Sequence, residues 1–324
     1  MTTKRRTLLL SIPALWLGAR AAHAQQFPTK PIRYIVPVAA GGGSDFVGRT
    51  VGERWGALLG QTIVVDNIGG GGGVIAAQTT AKAPPDGYTL MQGYVATHGT
   101  SPATRRLSYD PVRDFTPIGM IGGTPNVLVV NASLPVSDLK SFIDHLQKNP
   151  GKLSYGSAGT GSLTQLVMEL FKQQTGTFML HVPYRGIAPA FTDLMGGQTQ
   201  AMFAGLAAAL PHIRSGRIKA LAVTGQERQA TLKDVPTLIE AGLQGFDALQ
   251  WYGVVGPAGM PSPIVHHLNE TLNTVLKAPD MTSKLASEAV EPMPMSPEQF
   301  GSYVKAEVVR WTALAKERKI QLDE

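Results

Sequence analysis

Cysteine is absent from all 324 residues. Its absence excludes a disulfide framework, a thiolate metal site, a cysteine nucleophile and a lipid attached at an export cleavage point. Long apolar runs are missing too. The run at residues 7–17 covers about 11 residues, well short of the roughly 20 that cross a bilayer as a stable helix. No Lys/Arg-rich tract with interleaved aromatics occurs after the N-terminus, so nucleic-acid binding has no support. Net charge is small: the formal +6 of the whole chain includes Lys4, Arg5, Arg6 and Arg20 with no acidic residue among the first 24, leaving about +2 downstream. The 7 histidines come without an H-E-x-x-H pair or a matching carboxylate cluster. His266 and His267 are adjacent on a helical pattern and point to different sides, so no metal and no cofactor are expected.

What is present begins with a leader. Lys4-Arg5-Arg6, the apolar run and the small-residue site Ala22-His23-Ala24 form a cleavable secretory signal, with cleavage expected after Ala24. The paired arginines before Thr7-Leu8-Leu9 also loosely resemble a twin-arginine signal, which leaves the export route open. About 300 mature residues exceed one ordinary core and fit two lobes.

Apolar β-rich runs then alternate with amphipathic ones. Residues 32–38, 62–66 and 88–93 read as strands and residues 44–59 and 74–82 as helices, a βαβαβ unit with parallel strands. The rhythm restarts with strands at 126–130, 153–156, 177–182, 201–204 and 219–224, separated by helices at 137–148, 162–175, 187–195 and 206–215. A strand near 251–255 and helices at 263–276 and 297–316 complete the chain, the last with Ser296 as N-cap and Pro297 at the first helical position. Gly122-Gly123-Thr124-Pro125, Thr224-Gly225 and the Gly- and Pro-rich residues 253–261 read as hinges. The expected architecture is α/β with two lobes, residues 25–125 plus 253–324 and residues 126–252, each a mostly parallel sheet flanked by helices.

Two glycine-rich strand-to-helix turns stand out, one in each lobe: Ala39-Ala40-Gly41-Gly42-Gly43-Ser44-Asp45 and Tyr155-Gly156-Ser157-Ala158-Gly159-Thr160-Gly161-Ser162. Glycine admits close backbone approach, and the unpaired N–H groups of a helix's first turn favour an anion. In open α/β sheets ligands bind beyond the carboxyl ends of strands, where both turns belong. A carboxylate gripped from both sides by amides and by the hydroxyls of Ser44, Ser157, Thr160 and Ser162 is the expectation.

Enzyme signatures fail at specific residues. Residues 43–50 have P-loop spacing, but Arg49 replaces the required lysine and Asp45 would sit in the phosphate cradle. The glycine run at 69–73 matches almost any glycine pattern and carries little weight as a dinucleotide fingerprint. Ser157 is not in a G-x-S-x-G elbow, because Tyr155 occupies the first glycine position.

Phe27-Pro28-x-Lys30-Pro31-Ile32, Val36-Pro37 leading to Gly41-Gly42 and Asp45, Ala83-x-x-Asp86-Gly87-Tyr88-Thr89-Leu90 and Tyr109-Asp110-Pro111-x-x-Asp114-Phe115 form an ordered set of motifs. It continues with Pro150-Gly151-Lys152-Leu153, His181-Val182-Pro183-Tyr184-Arg185-Gly186, Pro211-His212-Ile213, Asp234-Val235-Pro236-Thr237 and Pro257-Ala258-Gly259. In this set the chain resembles, over essentially its whole mature length, the Bug receptors, solute-binding components of tripartite tricarboxylate transporters. The resemblance implies a monomeric two-lobed periplasmic binding protein that is not an enzyme. It implies a carboxylate held by the loops around Gly42 to Asp45 and Ser157 to Ser162, and a membrane permease or a sensor protein as partner.

Three departures bear on the ligand. The family usually has a proline pair where Ala39-Ala40 stands, often His where Gln165 stands, and commonly an Asp-Asn pair where Ala204-Gly205 stands. Ala204 is expected to make the pocket larger and less polar, which favours a dicarboxylate or aromatic carboxylate over an amino acid. Arg185, Tyr184, Tyr94 and His98 are candidates for a second polar group on the ligand, and Trp251 for packing against it.

Overall fold

The computed structural model describes residues 27–41 and 43–320. The leader with its cleavage point and Gly42 lie outside the described residues. In chain order the elements are β1 (Ile32–Val36), α1 (Gly43–Leu59), β2 (Ile63–Asn67), α2 (Val74–Ala81), β3 (Thr89–Tyr94), α3 (Ser101–Thr104) and β4 (Phe115–Asn131). They continue with α4 (Leu139–Lys148), β5 (Ser154–Ser157), α5 (Leu163–Thr175), β6 (Leu180–Pro183), α6 (Ile187–Met195), β7 (Ala201–Gly205), α7 (Leu206–Arg214) and β8 (Ile218–Val223). The last are β9 (Leu249–Pro257), α8 (Ser262–Leu276), α9 (Pro279–Ala286), β10 (Glu291–Pro292) and α10 (Pro297–Glu317).

Local chemistry explains where several helices start and stop. Asp138 accepts the Ser141 N–H while the Ser141 side chain answers the Asp138 backbone, a capping box that opens α4. Ser296 and Gln299 form the same box at α10, with Pro297 at the first helical position. Ser162 caps α5, which Gly176 ends in the left-handed region at φ 62°.

Two sheets share one strand. The first runs β2-β1-β3-β9-β4-β10 and the second β8-β4-β7-β5-β6. Both are mixed. β1 is parallel to β2 and β3, and β5 to β6 and β7, whereas β4 runs antiparallel to β7, β8 and β9. The 17 residues of β4 pair with β9 up to Pro125 and with β7 and β8 from Asn126 onward. Gly122-Gly123-Thr124-Pro125, expected to break the chain, are therefore ladder residues. Gly122 is required by the close passage of β10, since a Cβ there would collide with the Glu291 carbonyl oxygen. Residues 249–252, expected to end the second lobe, already pair with Pro125, Thr124, Gly123 and Gly122 in the first sheet.

The register fixes where the strand ends meet. Tyr94, the last residue of β3, lies opposite Tyr252, which pairs with Gly122. Gly205, the last residue of β7, pairs with Asn126. The carboxyl ends of the two sheets thus converge on residues 122–126 of β4 from opposite sides. Thr224 ties the two strand crossings together. Its hydroxyl accepts the Asn126 N–H at 2.8 Å and donates to the Ala248 carbonyl at 2.7 Å, while its own N–H reaches the Asn126 carbonyl at 2.7 Å.

Helix α10 crosses as well. Phe300, Val304 and Trp311 bury against the first sheet, and Arg318, just past the helix, reaches Glu169 on α5 at 3.0 Å. Glu169 also accepts from Lys172 at 2.6 Å and from the Tyr155 hydroxyl at 2.7 Å, a buried ionic node between the lobes. The turn at residues 96–100, the first half of β4 and α9 had no sequence signal strong enough to announce them.

Candidate functional site

On the first sheet, β1 delivers the chain to the opening of α1. Asp45 is 4% exposed, and its carboxylate is fully committed. It accepts the Gly41 N–H at 2.9 Å, Asn67 Nδ2 at 2.8 Å and Arg49 Nε at 3.0 Å. Burial works against the charged form, but Arg49, the Gly41 amide and Asn67 outweigh it and hold the carboxyl below its usual range. Asn67 in turn donates to the Val38 carbonyl and accepts from Arg49. Asp45 therefore anchors the loop that leads into Gly43 and Ser44 at the start of α1. The Ser44 hydroxyl accepts from Gln92 Nε2 at 2.7 Å.

The glycine run discounted in the sequence forms a third turn at this end of the sheet. A Cβ on Gly69 would lie 3.2 Å from the Ala39 nitrogen, and one on Gly73 would press on Tyr94 and Pro37. Tyr94 donates its hydroxyl to the Gly72 carbonyl at 3.2 Å, and burial pushes its pKa up to about 12. It is a neutral prop for that turn.

On the second sheet, β5 ends at Ser157, which is fully buried. Gly161 donates its N–H to Gln165 Oε1 at 2.7 Å, so the other end of this amide, Nε2, faces His181 Nδ1 at 3.1 Å. An amide nitrogen only donates, so Nδ1 must accept, and the proton of neutral His181 sits on Nε2. That proton is given to Ser157 Oγ, 2.6 Å away. Burial, chiefly, lowers the His181 pKa to about 4, with Lys172 adding to the shift and Glu169 opposing it. No imidazole lone pair faces Ser157, so the pair is wired against proton abstraction from the serine. Ala158 N–H goes to Thr164 Oγ1 at 2.9 Å, and the Ser162 hydroxyl donates to the Gly159 carbonyl at 2.6 Å, with Gly159 at φ +128°. Thr160, half-buried at the loop's crest, has no hydrogen-bond partner among the described residues.

The loop after β6 lies alongside. The Tyr184 and Gly186 N–H groups donate to the Ser157 and Ala158 carbonyls. The Tyr184 hydroxyl donates to Asp193 Oδ2 at 2.6 Å, and burial together with that carboxylate pushes its pKa up to about 12. Arg185 between them is exposed and has neither hydrogen bond nor ion pair among the described residues.

Four expectations are corrected. Trp251 is fully buried, donates Nε1 to Glu307 at 2.9 Å and meets Phe300 and Tyr303 edge-on; it is a core residue because β9 is an interior strand. His98 is fully buried against Phe115 and lines a different cavity, because the turn after β3 carries it under α10. Ala204 is fully buried in the second lobe's apolar cluster, so its methyl neither widens nor depolarises a cleft. Gly205 is the residue whose missing Cβ would meet open space. Tyr94 spends its hydroxyl inside the protein. Sequence reasoning missed Asn67, Gln92, His181 and Asp193, for none of which is there a spacing signal: each acts through a partner 9 to 48 positions away.

Comparison with known proteins identifies the family. Residues 47–320 match the tripartite tricarboxylate transporter family receptor profile. Rpa4515 of R. palustris, solved with adipate, is 38% identical with a TM-score of 0.81, covering 91% of this chain and 100% of that one. The periplasmic binding protein BugD is 33% identical, TM-score 0.77, covering 91% and 100%. MatC of Rhodopseudomonas palustris, solved with malate, is 34% identical, TM-score 0.76, covering 89% and 99%. Their two-lobed fold and this sheet arrangement coincide, and the chain belongs to the tripartite tricarboxylate transporter receptor family, whose members are periplasmic solute-binding proteins.

Proposed function

We propose that this protein, released into the periplasm after Ala24, closes two lobes around a small dicarboxylate and presents it to a tripartite tricarboxylate-type permease as a monomer. The observation that carries this reading is a glycine-rich helix start in each of the two sheets whose carboxyl ends lie on either side of the middle of β4. The lobes are the two sheets with their helices, divided at Pro125 and again at Leu249, and they hinge at the crossings tied by Thr224.

The amides opening α1 and the unpaired N–H and hydroxyl of Thr160 hold one carboxylate. Arg185, an uncommitted cation beside the second loop, meets the other. A helix start contributes about 0.3 to 2 kcal/mol, whereas micromolar affinity needs about 8 kcal/mol. Charge-assisted bonds and burial of the ligand's carbon skeleton supply the difference, so closure is part of affinity. The similar structures with adipate and malate support a dicarboxylate, and an aromatic dicarboxylate offers the same pair of charges. The proton on His181 Nε2 supports binding without turnover.

Thermal unfolding of the mature protein with malate, adipate, phthalate, benzoate and aspartate tests the reading. A ligand at 100 times its Kd stabilises by about 2.7 kcal/mol. Dicarboxylates should give the largest shifts, and Arg185→Ala should weaken them at least tenfold while sparing benzoate. No dicarboxylate shift, or chemical conversion of a bound ligand, would sink the proposal.

A further inference from the structure

Helix α9 ends in a turn that brings an acidic side chain to the opening of α1. The Val290 N–H returns to the Leu285 carbonyl and the Ala289 N–H to the Ala286 carbonyl, a closure that favours glycine at its left-handed position. Ala289 takes that position at φ 50° and packs on the second lobe's apolar cluster. Glu288, the residue before it, is half-buried. A Cβ on Gly43 would lie 2.8 Å from Glu288 Oε2, so the carboxylate rests against the first residue of α1 in space that only glycine leaves there. It has neither hydrogen bond nor ion pair among the described residues. Tyr252 feels the same charge: burial raises its pKa and Glu288 adds to the rise. Because Tyr252 stands where the strand ends converge, the carboxylate lies beside the cleft.

The start of α1 explains why a carboxylate settles there. The first-turn N–H groups of this 17-residue helix carry partial positive charge. Residues 41–43 are glycines with no side chain to cap them, and the Asp45 carboxylate is committed to Gly41, Asn67 and Arg49. Glu288 supplies the missing negative charge from the far end of the sequence. A ligand carboxylate held by the same amides would meet it at close range, and like charges that close oppose one another. Resting on the reading of this cleft as a carboxylate site, we infer that Glu288 is a built-in competitor: in the empty receptor its carboxylate stands in for the ligand's at the start of α1, and binding exchanges one for the other. The exchange sets a threshold that a ligand must exceed through its remaining contacts.

Glu288→Gln keeps the size of the side chain and removes its charge. In the ligand-free mature chain the ¹H–¹⁵N resonances of Gly43 and Ser44 should differ between parent and variant; with malate or adipate saturating they should coincide, because Glu288 has left. Calorimetric titration should show these dicarboxylates binding Glu288→Gln about tenfold more tightly than the parent at low ionic strength, the gain shrinking as salt screens the repulsion. Measurable binding that Glu288→Gln leaves unchanged or weakens overturns the competitor alone, as do identical Gly43 and Ser44 resonances in the two ligand-free proteins. If malate and adipate bind neither protein, the reading of the cleft itself falls and the competitor with it.

Discussion

Gln165→Leu removes the centre of the relay that sets the second loop while keeping the side chain's bulk. Gln165 is 6% exposed, and its amide makes two bonds, from the Gly161 N–H at 2.7 Å and to His181 Nδ1 at 3.1 Å. Gly161 is buried, so its orphaned N–H costs about 1–3 kcal/mol, and the lost bond to Nδ1 about 0.5–1.5 kcal/mol more. Leucine returns part of this through apolar burial, so a net loss of about 2 kcal/mol in urea unfolding is expected. The decisive readout is the imidazole itself. In the parent protein ¹⁵N NMR should show His181 protonated at Nε2 and bare at Nδ1. In Gln165→Leu nothing holds that tautomer, and Nδ1 should gain proton occupancy. A parent His181 protonated at Nδ1, or a variant with unchanged stability and tautomer, would refute the wiring and with it the structural case against a serine nucleophile.

Acid should weaken the fold before the carboxylates titrate. His98 and His181, with pKa values of about 3 and about 4 against 6.5, stay neutral when folded and take up protons when unfolded. Their contribution is therefore complete above pH 6.5 and lost as pH falls to about 4 for His181 and about 3 for His98; the double variant His98→Gln, His181→Gln should flatten that slope in urea titrations. Glu169→Ala leaves Lys172, 5% exposed, without its counter-ion and should cost about 3–5 kcal/mol, measured by chemical unfolding. Ala204→Asp places a carboxylate in the apolar cluster around Val127 and Met202 and should lower stability by at least about 3 kcal/mol. A stable Ala204→Asp with altered ligand preference would return that residue to the cleft.

Most elements were legible in the sequence because local signals agree there. Ser162 and Ser296 cap, Gly176 stops, and apolar periodicity separates strands from helices. The failures were equally physical. Glycine and proline at 122–125 signal a break when only neighbours in sequence are considered, yet β9 and β10 supply the pairing that keeps them extended. Trp251 and His98 have the chemistry of ligand contacts, and no local pattern shows that an interior strand and a helix laid over the sheet enclose them. Asp45 was expected at the ligand, whereas its carboxylate anchors the loop internally, a role that depends on Asn67, 22 positions away.

The sequence by itself determined the α/β alternation, the two glycine-rich helix starts and the family. Those properties reside in contiguous residues whose backbone freedom, capping and periodicity act locally. Tertiary structure alone decided that one strand serves both sheets, that their carboxyl ends face each other across residues 122–126, and that a glutamine fixes the proton of His181. It also decided which polar residues remain free, because a hydroxyl or guanidinium already paired inside the fold has nothing left to offer a ligand, and pairing across long chain separations is set only when the sheets assemble.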